Sequence, residues 1–97
     1  TLTKPNLISK MWLMARNFIE TCDRLFIIGY SLPVSDTYVN LFLSKSLRSH
    51  TEVILVNNDD SDEFSSRLSN QLAGRVDRGA SFLGDRSVDR FIDWLAP

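Results

Sequence analysis

The chain has 97 residues, 43% of them hydrophobic and 24% charged, which is the composition of an ordinary globular domain. Its net charge is −1, so it has no excess of Lys and Arg with which to bind nucleic acid or anionic membranes. We therefore expect neither as a partner. A single cysteine excludes an internal disulfide and indicates a reducing, cytoplasmic setting, and no apolar run approaches the roughly 20 residues of a membrane span.

The first half of the chain predicts a helix, a strand and a second helix. Apolar residues recur at helical spacing over 6–22, which predicts the first helix. Residues 25–28 are then apolar without alternation, as is typical of a strand covered on both faces in a parallel sheet. Gly29 ends this strand, and Ser35 or Asp36 can cap the second helix.

The second half repeats this alternation. A second apolar run at 53–56 predicts another strand with both faces covered. Asp60 begins a sequence spaced like a capping box, which predicts a third helix that ends at Gly74. A short strand is expected at 80–83, and Ser87 is expected to cap the last helix.

Strands that alternate with helices predict an α/β fold. We expect one domain over residues 1–97, a three-layer, Rossmann-like parallel sheet with right-handed crossovers and helices on both faces. Three strands make a thin sheet, so we interpret the chain as part of a larger domain or as a unit that pairs with another chain.

Polar turns follow each predicted strand. In open parallel sheets ligands bind beyond the carboxyl ends of the strands. Gly29 lets backbone approach a ligand, Ser31 can hydrogen-bond a phosphate or hydroxyl, and Asn57 can bond the hydroxyls of a ribose. The three turns are Gly29-Tyr30-Ser31, Asn57-Asn58-Asp59 and Gly84-Asp85-Arg86.

Each of these residues also has a purely structural interpretation. Turns in any protein are rich in Gly, Ser, Asn and Asp, which explains Gly29 equally well and Asn57 somewhat better than a ligand does. Asp36 is more typical of a helix cap than of a catalyst, and the acidic residues at 59–63 are more typical of helix-dipole partners than of a metal site. The dinucleotide and P-loop fingerprints GxGxxG and GxxxxGK[ST] are absent from the sequence.

The segment CDRLFIIGYSLPVSD, followed by EVILVNND, resembles the C-terminal part of SIR2-like (sirtuin-like) NAD-binding domains. Sirtuins carry AD, an apolar strand and GTSL, and later a strand that ends in Asn; this chain reads CD, RLFII, GYSL and VILVN. SFLGDRSVDRFIDWL is similar to the strand, loop and helix that close such a domain. GYSLPVSD is closer to the SIR2-like domains of bacterial proteins, which include NAD-consuming effectors of antiphage defence, than to the protein deacylases.

The resemblance implies a role for each turn. Gly29 would approach the NAD phosphates, Ser31 would bond phosphate or ribose, Asn57 would bond the adenosine ribose, and the 84–86 loop would lie beside the adenine. Tyr30 stands in place of the family's threonine, so it would either flank the ligand or turn away. Asp36, at the end of the motif, is included in the expected site.

The family's glycine-rich nucleotide loop and its catalytic Asn and His have no match in these 97 residues. The resemblance therefore implies that the chain holds the ribose and adenine half of a site, and that an upstream part of the same domain cleaves the nicotinamide–ribose bond. We expect binding of NAD or ADP-ribose, and no catalysis by this chain alone. The alternative is a non-catalytic α/β module that forms a homo-oligomer or binds a partner through an exposed sheet edge.

Overall fold

The computed structural model describes the backbone of residues 7–97 and the side chains of residues 10–97. The predicted order of helices and strands is confirmed, but the third strand has two residues rather than four. The predicted start of the first helix at Asn6 lies outside the described residues. None of the helices in residues 7–97 combines the length and apolar character that a membrane crossing needs. The elements are α1 (Leu7–Thr21), β1 (Arg24–Ile28), α2 (Thr37–Ser46), β2 (Glu52–Asn57), α3 (Asp62–Gln71), β3 (Phe82–Leu83) and α4 (Ser87–Leu95).

The three strands form one parallel sheet in the order β1-β2-β3. At the two ends of β1, the C=O of Asp23 accepts from Glu52 at 2.9 Å and the N–H of Gly29 donates to Val56 at 2.8 Å. Successive residues of a strand direct their backbone groups to opposite sides, so Phe26 and Ile28 direct theirs away from β2. β1 is therefore an edge strand within the described residues.

One face of the sheet carries the main hydrophobic core. The odd-numbered side chains of β1 and β2, such as Ile27, Val53 and Leu55, point to this face and are buried. Helices α2 and α3 cover them, and Ile19 of α1 packs against the same cluster. Leu68 of α3 is fully buried there, so α1, α2 and α3 all lie on this face.

Helix α4 covers the other face through an aromatic cluster. Phe91 lies 5.2 Å from Phe26 and 5.6 Å from Phe82, measured between ring centroids, and Trp94 lies 5.8 Å from each of the same two rings. Such aromatic contacts stabilise the layer beyond simple area burial. The sheet is therefore flanked by helices on both faces, although Ile28 on β1 stays half exposed.

Two helix starts differ from the sequence prediction. Helix α3 is capped by Ser61 rather than Asp60, because the Ser61 hydroxyl accepts the N–H of Phe64 at 3.2 Å. Helix α4 begins at Ser87, which is its first helical residue and not its cap; the residue before it has a φ of 58° and no side-chain cap bond. The buried Ser87 hydroxyl instead donates to Oδ1 of Asn58 at 2.9 Å.

The end of α3 is a Schellman-type turn. The N–H of Gly74 donates to the C=O of Ser69 at 2.7 Å, and the N–H of Ala73 donates to Asn70 at 3.4 Å. Ala73 and Gly74 both have positive φ, 55° and 74°. Helix α3 thus ends at Gln71, three residues before the glycine that the sequence indicated as its end.

Candidate functional site

The three predicted turns lie at one edge of the sheet. The N–H of Gly29 donates to the C=O of Val56 at 2.8 Å, and the N–H of Gly84 donates to the C=O of Asn57 at 2.9 Å. The turns after β1 and β3 are thereby bonded to the end of β2. The structure brings the three polar clusters together beyond the carboxyl ends of the strands, where ligands of open parallel sheets bind.

Gly29 and Gly84 both need glycine, for different reasons. Gly29 has a φ of +69°, and a side-chain carbon built on it would meet no atom within 4 Å. Glycine is needed there because of the backbone conformation, and the space beside it is open to a ligand. Gly84 has a φ of +92°, and an added side-chain carbon would lie 3.1 Å from Oδ2 of Asp60. Any other residue at position 84 would have both an unfavourable backbone conformation and a close contact with Asp60.

The loop after Gly29 is held by a buried leucine. Leu32 is completely buried and has a φ of 49°, a conformation that costs an L-residue about 1–2 kcal/mol. Ser31, directly before it, is exposed. The N–H groups of Tyr30 and Ser31 have no hydrogen-bond acceptor among the described residues. Successive unpaired N–H groups in a turn can bind an anion.

Arg67 on α3 binds this loop from behind. Its Nη1 donates to the C=O of Leu32 at 2.6 Å, and its Nη2 donates to the C=O of Ser31 at 2.8 Å. Gln71, one turn later, donates to the same Leu32 carbonyl at 3.1 Å and accepts from Arg67 at 2.8 Å. Sequence analysis missed both residues, because their spacing of four is typical of an exposed helical pair.

Asn40 extends the same network to the start of α2. Its Nδ2 donates to the C=O of Pro33 at 3.1 Å and to the C=O of Asp36 at 2.8 Å. Its Oδ1 accepts from Gln71 at 2.7 Å. Four backbone carbonyls of the loop, those of Ser31, Leu32, Pro33 and Asp36, are therefore bonded to side chains of two helices, and the loop has a defined shape.

Tyr30 and Asp36 bond to each other within the loop. The Tyr30 hydroxyl donates to Oδ2 of Asp36, and Oδ1 of Asp36 accepts the N–H of Val39 at 3.5 Å. Asp36 is thus the N-cap of α2, as its structural interpretation predicted. The hydrogen bond to the Asp36 carboxylate raises the pKa of Tyr30, whose ring packs partly against the core.

The turn after β2 is built from side chains that bond to backbone. Oδ1 of Asn57 accepts the N–H of Asp59 at 2.9 Å, and Oδ1 of Asp59 accepts the N–H of Ser61 at 2.9 Å. Hydrogen bonds from the Ser61 hydroxyl and backbone N–H hold the pKa of Asp59 below its usual value. Asn57 therefore has the predicted turn role, while its Nδ2 donates to no other described residue.

Asp85 and Arg86 are exposed at the start of α4. Arg86 pairs with Asp89 at 3.4 Å, and the C=O of Asp85 accepts from the guanidinium of Arg90 at 3.1 Å. The bond from Ser87 to Asn58 joins this loop to the turn after β2. Both side chains are exposed, with Arg86 paired to Asp89 and Asp85 contributing negative charge.

Neither of the two larger cavities is lined by the three strand-end turns. One of about 560 Å³ lies at the amino end of β2 and is lined by His50, Arg75 and Arg78. Another of about 540 Å³ lies between α1 and α2 and is lined by Trp12 and Phe42, with Asp36 at its rim. The candidate site is therefore an open surface of backbone N–H groups, one hydroxyl and one amide.

Comparison of the chain with protein-family models, with curated proteins and with solved structures found no match. The resemblance to SIR2-like domains consequently rests on the segments 22–36, 52–59 and 81–95 of the sequence. The chemistry available at the edge is hydrogen-bond donation to an anionic or hydroxylated ligand.

Proposed function

We propose that the carboxyl edge of the sheet binds NAD or ADP-ribose. The chain would be the NAD-binding part of a cytoplasmic, bacterial, SIR2-like Rossmann domain, whose parent hydrolyses NAD at the nicotinamide–ribose bond in antiphage defence. One observation carries the proposal: Gly29 and Gly84, both with positive φ, flank the end of β2 at the same edge. The open space at Gly29 and the unpaired N–H groups after it suit a diphosphate.

Two side chains are available to the ligand and two others act on the loop. Ser31 is exposed, and its hydroxyl suits a phosphate or a ribose hydroxyl. Nδ2 of Asn57 suits a ribose hydroxyl, because Oδ1 is held by the turn. Tyr30 and Asp36 bond to each other, so we assign them to the shape of the loop rather than to direct contact.

The cleavage step belongs to residues outside this chain. In hydrolysis, water attacks C1′ of the nicotinamide ribose, and nicotinamide leaves with the electrons of the broken bond. His50, the one histidine of the chain, lies at the amino end of β2, on the opposite edge from the strand ends. It is therefore too far from the proposed site to act on a ligand there.

An NMR titration of the isotope-labelled chain with ADP-ribose and NAD tests the proposal, with AMP as the control that lacks the diphosphate. We expect weak binding with shifts confined to the amides of Gly29, Ser31, Asn57 and Gly84. The binding is weak because the family's glycine-rich loop has no counterpart here. Shifts at the amino end, around His50 and Arg75, or no shifts at all in a folded spectrum, would contradict the proposal.

A further inference from the structure

We infer that Arg67 is a positioning residue for the phosphate-binding loop, an inference that rests on the proposed function. Arg67 lies behind the loop, half-buried on α3, and touches only its backbone carbonyls. Its role would be to hold the carbonyls of Ser31 and Leu32 toward α3, which fixes the position of the exposed Ser31 at the ligand.

The planarity of the peptide bond carries the first step. Within one trans peptide unit the C=O and the next N–H point in opposite directions. The C=O of Ser31 is 2.8 Å from Nη2 of Arg67, so the N–H of Leu32 in the same unit points away from that guanidinium. This N–H has no acceptor among the described residues either, and because Leu32 is completely buried it does not reach a ligand. What Arg67 fixes is the orientation of the peptide unit that joins the exposed Ser31 to the buried Leu32.

The guanidinium is itself held in place, which makes it a rigid support. Oε1 of Gln71 accepts from Nη1 at 2.8 Å, and the guanidinium carbon lies 5.8 Å from the ring centroid of Phe64. Phe64 is buried beside the Ser61 cap of α3. Arg67 thus holds the carbonyls of Ser31 and Leu32 at a fixed position relative to the start of α3. That helix start in turn follows the turn at the end of β2.

Only arginine can bind the two carbonyls in this manner. Its planar fork presents two parallel N–H groups, whereas a lysine ammonium is a single point of charge on a flexible stem. The buried Leu32, with its positive φ, needs such support because its conformation is intrinsically unfavourable. Arg67→Lys keeps the positive charge and removes the fork, so it separates positioning from simple attraction of phosphate.

The test compares the affinity of the wild-type chain, Arg67→Lys and Arg67→Ala for ADP-ribose by NMR titration. We expect each substitution to weaken binding about tenfold, the size expected for loss of one charge-assisted hydrogen bond. The matched control is Arg75→Lys, because Arg75 also donates to a backbone carbonyl, that of Arg48 at 2.9 Å, but at the amino end of the sheet. We expect its affinity to equal that of the wild type.

Two further readouts distinguish positioning from general damage to the fold. In both Arg67 variants the amide shifts of 29–32 should change while those of 53–56 stay as in the wild type. Methylguanidinium added to Arg67→Ala should restore part of the lost affinity. Wild-type affinity in Arg67→Lys, or unchanged amide shifts at 29–32, overturns the inference. If the wild-type chain itself fails to bind ADP-ribose, the proposed function fails first.

Discussion

The hydroxyl of Tyr30 donates a hydrogen bond to Oδ2 of Asp36, six residues further along the chain. Oδ1 of the same carboxylate accepts the N–H of Val39 and caps α2. One carboxylate thus closes the loop between β1 and α2 and begins the helix that follows. Two residues of the expected site are therefore bonded to each other.

Removing this coupling should destabilise the chain. We expect Asp36→Ala to lower the free energy of unfolding by about 1 kcal/mol, the usual cost of losing an N-cap. Tyr30→Phe should cost less, and the double variant should lose less than the sum of the two single variants. Urea unfolding of the four proteins measures this, and strict additivity would show that the bond is not formed. Tyr38→Phe is the control, because Tyr38 is 85% exposed.

The conformation of Gly29 predicts a second effect. Gly29→Ala places a side chain at a φ of +69°, so we expect a loss of about 1–2 kcal/mol in unfolding free energy, although nothing would clash with the new methyl group. Gly79→Ala is the matched control, since Gly79 has no positive φ and its added carbon would make only ordinary contact. Equal stabilities of the two variants would refute the assigned conformation.

The end of α3 offers a stabilising substitution. Ala73 has a φ of 55° at a position where helices usually carry glycine. Ala73→Gly should therefore raise the free energy of unfolding by roughly 0.5–1 kcal/mol, because relief of the left-handed strain exceeds the entropy cost of glycine. Ala15→Gly, in the middle of α1, should lower it by about 1 kcal/mol. Thermal unfolding of both variants decides the sign.

Glu20 predicts a pH dependence of stability. Hydrogen bonds from Arg48 and from Arg16, the latter at 2.7 Å, hold the pKa of Glu20 below its ordinary value of 4.5. When the pKa of a carboxyl group is lower in the folded chain than in the unfolded chain, the group stabilises the fold. This stabilisation is complete at a pH above the unfolded pKa and is lost as the pH falls through the folded pKa. Glu20→Gln should thus be less stable than wild type at pH 7 and equal to it well below pH 4.5.

This difference is measured by urea unfolding at a series of pH values. Asp93→Asn serves as the control, because Asp93 forms no ion pair among residues 10–97. A gap between wild type and Glu20→Gln that persists unchanged into acid would contradict the assigned pairing.

The isolated chain should release no nicotinamide from NAD. The strand-end surface offers hydrogen-bond donors to the ligand, while the only histidine lies at the opposite edge. Incubation of the pure chain with NAD, followed by chromatographic detection of nicotinamide, checks this against a protein-free blank. Release above the blank that scales with protein concentration would assign catalysis to these residues.

Periodicity predicted the helices and strands well, because most core positions repeat at the period of their element. The apolar runs at 25–28 and 53–56 each fell within one residue of the observed strand ends. β2 is buried on both faces as expected, whereas β1 is only partly covered and its Ile28 is half exposed. Caps were less predictable. Ser61 and Asp60 are adjacent and chemically equivalent as caps, and only the geometry of the Asn57–Asp59 turn places Ser61 at the helix start.

The support of the candidate loop was not predictable from sequence. Arg67 and Ser31 are 36 positions apart, and nothing local to either residue indicates their contact. Leu32 precedes a proline, which indicates a turn but not complete burial. The positions of Gly29 and Asn57 at one edge did follow from sequence, because parallel strands bring their carboxyl ends together.

Within the residues that the structure describes, β1 has no partner strand on its outer side, and the sheet can be extended there. Helix α1 enters β1 and lies on the same face as α2 and α3, through Ile19. Since strand–helix–strand connections are right-handed, any parallel strand joined to the start of α1 can enter the sheet only beside β1. On that side Phe26 and Ile28 direct their backbone groups outward, and Ile28 remains half exposed. A strand added there would extend the sheet on the β1 side, and the proposed ligand-binding surface at the strand ends would lengthen with it.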